Sequence, residues 1–170
     1  MLLSASSVAA YAMVVYILWV DHTVASAADQ LFYLLLMFNS YFSISFTESL
    51  YGVRCLSDEA INVPLGFMYL GLPWLADQPF WFFLLMGAFF ILAMCKYVNW
   101  LTRISANYFL RRKILANGLG ALLGLAAAMA ILYWDRPANI AVVATAVFAV
   151  ANVQTLLIDP LYRHAPPKRD

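Results

Sequence analysis

The sequence predicts an all-α protein: one polytopic bundle of six transmembrane helices with both termini on the cytoplasmic side. Three observations lead there. Of 170 residues, 65% are hydrophobic and 11% charged, whereas soluble domains hold about 45–50% and about 25% respectively. A soluble fold this apolar could not cover its own core with polar surface. The chain also carries a series of long apolar runs, the pattern of helices dissolved in lipid. Finally, its basic residues gather in alternate connections, as the positive-inside rule requires. Six spans of roughly 20 residues use about 120 positions. No room is left for a separate soluble domain, so residues 1–158 form one membrane domain and 159–170 a short basic tail.

Residues 2–20 form the first span, with Tyr11, Tyr16 and Trp19 among aliphatic side chains. Ala25-Ser26-Ala27 looks like a small-residue cleavage site, but no basic n-region precedes it, so a retained span is expected. Asp21, His22 and Asp29 read as a polar connection. The second span, 31–53, is unusual in carrying Asn39, Ser40, Ser43, Ser45, Thr47, Glu48 and Ser49. Arg54 to Ala60, with Asp58 and Glu59, reads as a polar turn. Residues 61–76 are apolar but short, with Pro64 near the start and Pro73 near the end. A thin, kinked span is the main reading; a re-entrant or interfacial segment, giving five spans, is the alternative.

Asp77-Gln78-Pro79 closes that segment, and Pro79 suits the first turn of a new helix. Residues 80–100 form a strong span of Phe, Leu and Trp that runs into the basic stretch Thr102 to Lys113. Residues 114–134, built from Leu, Ala and Gly, are the fifth span. Asp135-Arg136-Pro137 is a tight turn, which makes the fifth and sixth spans antiparallel neighbours. The sixth occupies 138–158, and Asp159-Pro160 ends it.

Six spans with cytoplasmic termini place Arg54, Lys96, Arg103, Arg111, Arg112, Lys113, Arg163, Lys168 and Arg169 inside, and only Arg136 outside. Demoting 61–76 flips the first two spans and moves only Arg54. The rule therefore constrains the C-terminal half more strongly. The membrane expected is the plasma (inner) membrane.

Composition excludes several functions. A net charge of +1, with bases scattered between spans, offers no patch for nucleic acid. Cys55 and Cys95 lie far apart and form no C-x-x-C. His22 and His164 sit at a boundary and in the tail, so a metal or haem between helices has only Cys95 as an intraspan ligand. No metal and no cofactor are expected. Catalytic residues are expected to be none: G-x-S-x-G and H-E-x-x-H are absent. Asp58-Glu59 reads as an ordinary turn, and no serine, histidine and acid combine as a triad.

Three constellations stand out. On a helix, Asn39, Ser40, Ser43 and Thr47 project within roughly 100° of arc, and Glu48 about 80° beyond it. A carboxylate at a helix centre costs about 2.5–3.5 kcal/mol on insertion scales, so Glu48 should face protein or water. One reading is a polar path or substrate contact. The other has the hydroxyls bonding their own backbone and Glu48 at the headgroup level beside Arg54. Lys96, Asn99, Arg103, Asn107 and Arg111 fall within roughly 120° of one continuous helical face. That stripe suits a helix leaving the bilayer along the cytoplasmic interface, its cations meeting anionic headgroups or a docking partner. The fifth span repeats Ala116, Gly120, Gly124 and Ala128 every four residues, and the sixth answers with Ala141, Thr145 and Ala149. Small-residue rows let helices approach closely in lipid. The expected partners are each other, with self-association as the rival.

In size and span count the chain is similar to the small substrate-binding subunits of vitamin transporters. That likeness is one of architecture, and it transfers no residue role. The leading functional expectation is a non-catalytic accessory or scaffold subunit that packs against other membrane subunits or as a homo-oligomer. A small permease or channel using the second span's polar face is the alternative, and a membrane enzyme without a recognisable motif the third.

Overall fold

In the computed structural model the described residues are 24–50, 56–103, 107–159 and 161, with side chains for 27–43, 60–103, 108–159 and 161. Among them run α1 (Val24–Leu50), α2 (Leu56–Gly71), α3 (Pro79–Leu101), α4 (Asn107–Trp134) and α5 (Pro137–Val153). A 3-10 turn, Leu72–Leu75, extends α2, and a π-helical turn, Gln154–Ile158, extends α5. No strand occurs among the described residues. The expected first span, 2–20, and the tail beyond Leu161 lie outside them.

Among the described residues, three helices are long and apolar enough to cross a membrane: Pro79–Leu101, Tyr108–Trp134 and Pro137–Ile158. This is an integral membrane protein. The apolar part of α2 with its 3-10 extension, Ala60–Leu75, is shorter, below the about 20 residues a full helical span needs. Pro64 lies inside α2 and cannot donate to the Ala60 carbonyl, yet the helix continues through it.

Contacts give the helix directions. Thr145 donates to the Ala28 carbonyl at 2.9 Å, Phe32 stacks on Phe148 at 4.2 Å, and Asn39 meets Asn152 at 3.0 Å, so α1 and α5 run parallel. Gly87 lies against Gly124, Phe90 against Gly120 and Lys113 near Tyr97, so α3 and α4 are antiparallel. Lys96 bonds Asn62, and Tyr69 packs near Phe89, so α2 and α3 are antiparallel too. One end of the bundle holds the turns at Asp77 and Asp135. The other holds Lys96, Arg111, Arg112 and Lys113, and is called the basic end below. Phe32 is fully buried at the centre and touches Phe82 and Phe83 edge-on as well as Phe148.

Outward faces are apolar. α4 exposes Leu115, Leu119, Leu122, Met129 and Leu132; α5 exposes Val142, Val143, Val147 and Val150. At the turn end Trp74, Trp81, Tyr133 and Trp134 are exposed. Such a ring of indoles and phenols is the belt expected at one membrane–water boundary.

Several boundaries move. α1 begins seven residues before the expected 31, so Asp29 is helical and fully buried instead of lying in a loop. Alanines at 25, 27 and 28 favour helix, and Thr145 fastens that first turn to α5. Asp58 and Glu59 belong to α2, which already starts at Leu56. The basic stretch likewise turns helical at Asn107, ahead of the expected 114. The expected start at Pro79 is met, with Pro79 in the first turn. Asp135 takes a left-handed φ of 46° ahead of Pro137, forming the expected tight turn.

The largest correction concerns helix pairing. The closest pair is α3 and α4, not α4 and α5. A Cβ on Gly124 would stand 2.7 Å from the Gly87 nitrogen and 2.9 Å from the Phe83 carbonyl oxygen. Gly120 faces the Phe90 ring. Ala128, too, is buried, while Ala116 is half-buried. Ala141 and Thr145 are buried, and Thr145 meets α1 through the Ala28 carbonyl; Ala149 is half-buried. A short connecting turn keeps α4 and α5 adjacent in the chain, but the bulk of α5 is committed to α1.

Candidate functional site

Asn39, Ser40 and Ser43 line a half-open cavity of about 140 Å³ between α1, α2, α3 and α4. Asn62 comes from α2, Lys96 and Tyr97 from α3, and Lys113 and Asn117 from α4. Position along each helix sorts the lining by depth. Ser43, Asn62, Lys96, Tyr97 and Lys113 lie toward the basic end. Leu36, Leu65, Tyr69, Leu70, Phe89 and Phe90 lie nearer the middle of the bundle. The cavity is therefore polar at one end and apolar at the other.

A hydrogen-bond network holds the polar end. Lys113 is only 4% exposed, and its ammonium donates to Asn39 Oδ1 at 3.2 Å. Asn39 Nδ2 donates onward to Asn152 Oδ1 at 3.0 Å, and Asn152 Nδ2 to the Phe148 carbonyl at 2.9 Å. One chain of bonds thus ties α4 to α1 and α1 to α5. Ser43 and Tyr97 share a 2.6 Å hydrogen bond between their hydroxyls. Lys96 donates to Asn62 Oδ1 at 2.7 Å and sits 5.1 Å from the Trp100 ring centre. Lys113 in turn lies 5.9 Å from that of Tyr97. Both distances fall within the range where a ring face attracts a cation.

Two buried donors on lining residues have no hydrogen-bond partner: Asn117 Nδ2 and the Tyr69 hydroxyl. An unpaired buried polar group costs about 1–3 kcal/mol, so few survive without a purpose. The Asp29 carboxylate, at the opposite end of α1, is similarly buried and unbonded. No group of three His, Cys, Asp or Glu suited to a metal occurs among the described residues.

Comparison with protein-family models, curated proteins and solved structures finds no match for this chain. The site must speak for itself.

Of the five residues expected on the polar face, Asn39, Ser40 and Ser43 are brought to the cavity. Thr47 and Glu48 belong to α1, but their side chains lie outside the described residues. The expected headgroup stripe is divided. α3 ends at Leu101 and α4 restarts at Asn107, so Lys96, Asn99, Arg103, Asn107 and Arg111 do not share one helical face. Lys96 turns into the cavity, whereas Arg103 and Arg111 are exposed and Asn99 is half-buried. The Asn107 side chain lies outside the described residues. Instead, neighbouring Arg112 pairs with Asp159 at 2.5 Å and also donates to its carbonyl, tying the start of α4 to the end of α5.

Lys113 and Asn117 escaped sequence reasoning. Their signal was present: from Lys113, spacings of four, three, four and four residues lead through Asn117, Gly120, Gly124 and Ala128. One face of α4 carries both the cavity lining and the contact with α3.

Proposed function

We propose that this protein binds a small solute inside the membrane, as a permease or the solute-binding part of one. The observation that carries the reading is the cavity, where the polar face of α1 meets two lysines from α3 and α4. Polar and ionisable groups are expensive at this depth and accompany solute paths when they face a shared space. Introducing Ser40→Cys into a background lacking Cys55 and Cys95 tests access directly. A small methanethiosulfonate reagent should modify it from the basic end, and Gly66→Leu should slow the reaction at least tenfold. Gly66 lines the cavity and has open space where a side chain would go. A Ser40→Cys thiol that stays unmodified in the folded protein overturns the reading.

A scaffold or accessory subunit, paired with other membrane subunits or with itself, is the second reading. It draws support from the valine-rich outer face of α5, which suits another helix as well as lipid.

Orientation belongs to the same proposal. Six spans with both termini cytoplasmic, in the plasma (inner) membrane, agree with the direction of α1 to α5 if residues 2–20 cross first. The basic end then faces the cytoplasm and the aromatic belt the outside. In the same cysteine-free background, an impermeant maleimide added outside should label Arg136→Cys and spare Asn107→Cys and Lys168→Cys. Outside labelling at 107 or 168 reverses the orientation.

A further inference from the structure

We propose that Asp29 is a proton-binding site: the folded bundle holds it as a neutral carboxylic acid, and loss of that proton loosens the start of α1. Asp29 stands at the turn end, ahead of the apolar run that begins at Leu31. It precedes Asn39 by ten residues, about 15 Å along a helix. It is therefore separate from the solute cavity and independent of what that cavity takes.

Asp29, Phe32, Tyr33 and Leu36 share the buried face of α1. On that face Asp29 is fully buried, and neither carboxyl oxygen receives a hydrogen bond. The start of α1 packs against the 3-10 turn, α3 and α5. Among the described residues these bring Leu72, Phe82, Phe83 and Phe148, none of which ionises. The Thr145 hydroxyl is committed to the Ala28 carbonyl. Gln30, next in the chain, is buried as well, and its Nε2 donates to nothing. The charge acting on Asp29 from a neighbouring element is that of Asp77, between the 3-10 turn and α3, and it has the same sign.

Stripping an unpaired carboxylate of water costs far more than burying its neutral acid, so such a group takes up a neutralising ligand. A donor molecule or a metal ion would need room beside an oxygen, and both oxygens are closed to anything the size of water. A metal ion also needs several oxygen donors, and no such group of acids occurs among the described residues. A proton needs no room. Once ionised, Asp29 must regain water or a donor, and its turn of helix has to leave the 3-10 turn to do so. The bond from Thr145 to the Ala28 carbonyl belongs to that same turn. Acid holds this end of α1 in place, and alkali frees it.

Infrared spectroscopy of the full chain in detergent at neutral pH reads the carbonyl stretch of a neutral carboxylic acid. That band is expected in the wild type and lost in Asp29→Asn; a difference spectrum showing only a lost ionised carboxylate overturns the site. Asp29→Glu covers an Asp29→Asn protein that does not fold. With carboxyl-labelled aspartate the wild-type band should shift and the Asp29→Glu band should not; a wild-type band that ignores the label overturns the site. Linkage gives the second measurement. An unfolded chain gives up this proton near about pH 3.9, so the folded state binds more protons above that value and loses stability as pH rises. Between about pH 5 and 7 the folding equilibrium constant of the wild type, relative to Asp29→Asn, should fall by up to about tenfold per pH unit. A ratio that stays constant overturns the proposal. Once the band has disappeared at higher pH, amide exchange in residues 24–33 should be faster in the wild type than in Asp29→Asn. Equal exchange there overturns the loosening of α1.

Discussion

Gly124→Ala should cost this protein about 1–3 kcal/mol of stability, the usual range for overpacking, and Gly124→Leu should leave no folded protein in the membrane. The added Cβ would meet backbone, the Gly87 nitrogen at 2.7 Å and the Phe83 carbonyl oxygen at 2.9 Å. No side chain there can rotate away, so α3 and α4 must separate along their length. Two neighbours calibrate the effect. At Gly120 the nearest atoms belong to the Phe90 ring, which can tilt, so Gly120→Ala should cost less. At Gly118 the nearest atom is the Met94 sulfur at 3.6 Å, an ordinary contact. Gly118→Ala should therefore be neutral or gain up to about 1 kcal/mol of helix propensity. The series is read by thermal unfolding in one detergent. Equal melting temperatures for the three alanine variants would rule out the close α3–α4 crossing.

That series also marks what the sequence could and could not reveal about packing. The row Ala116, Gly120, Gly124, Ala128 identifies a close-approach face, but a row of small residues carries no address for its partner. Its counterpart is a single glycine, Gly87, set among Phe, Leu and Met, where no spacing draws attention. The short turn at Asp135 made α5 the natural choice, because chain neighbours often pack. Boundaries written in proline, at Pro79 and Pro137, were legible because the ring suits a first helical turn. The start of α1 was not: an aspartate before an apolar run reads as loop, and only the packing of Ala28 and Asp29 against neighbouring helices makes it core.

The site divides along similar lines. Asn39, Ser40 and Ser43 share one helical face by period alone, and that face does line the cavity. The spacing of Lys96 to Asn99 and Arg103 predicts an interfacial stripe only on an unbroken helix. The break between Leu101 and Asn107 removes that condition. Lys113 read as a cytoplasmic charge in a basic stretch, since a buried lysine is the exception. Its place in the interior depends on an asparagine 74 positions earlier, and no local pattern reports a contact at that separation.

The Asn39 network carries the second large effect. Taken as one interhelical bond in lipid, Asn39→Leu would cost only about 0.6 kcal/mol. In the structure Asn39 instead accepts from a buried ammonium and donates to Asn152, joining three helices through one side chain. A hydrogen bond to a charged group contributes about 1.5–3 kcal/mol. Adding the Asn152 bond brings the expected loss for Asn39→Leu to about 2–4 kcal/mol. Asn39→Asp keeps an acceptor for Lys113 but gives up the donor to Asn152, so it should fall between wild type and Asn39→Leu. Lys113→Met isolates the charged bond. If Asn39 and Lys113 act through each other, the Asn39→Leu, Lys113→Met double variant should lose less than the two single losses added, by about 1–3 kcal/mol. Equilibrium unfolding in mixed micelles, with the four proteins compared at one detergent ratio, reads that coupling. Strict additivity would mean the 3.2 Å bond contributes nothing to holding α1 against α4, and the polar end of the cavity would then lack the brace that orients Lys113.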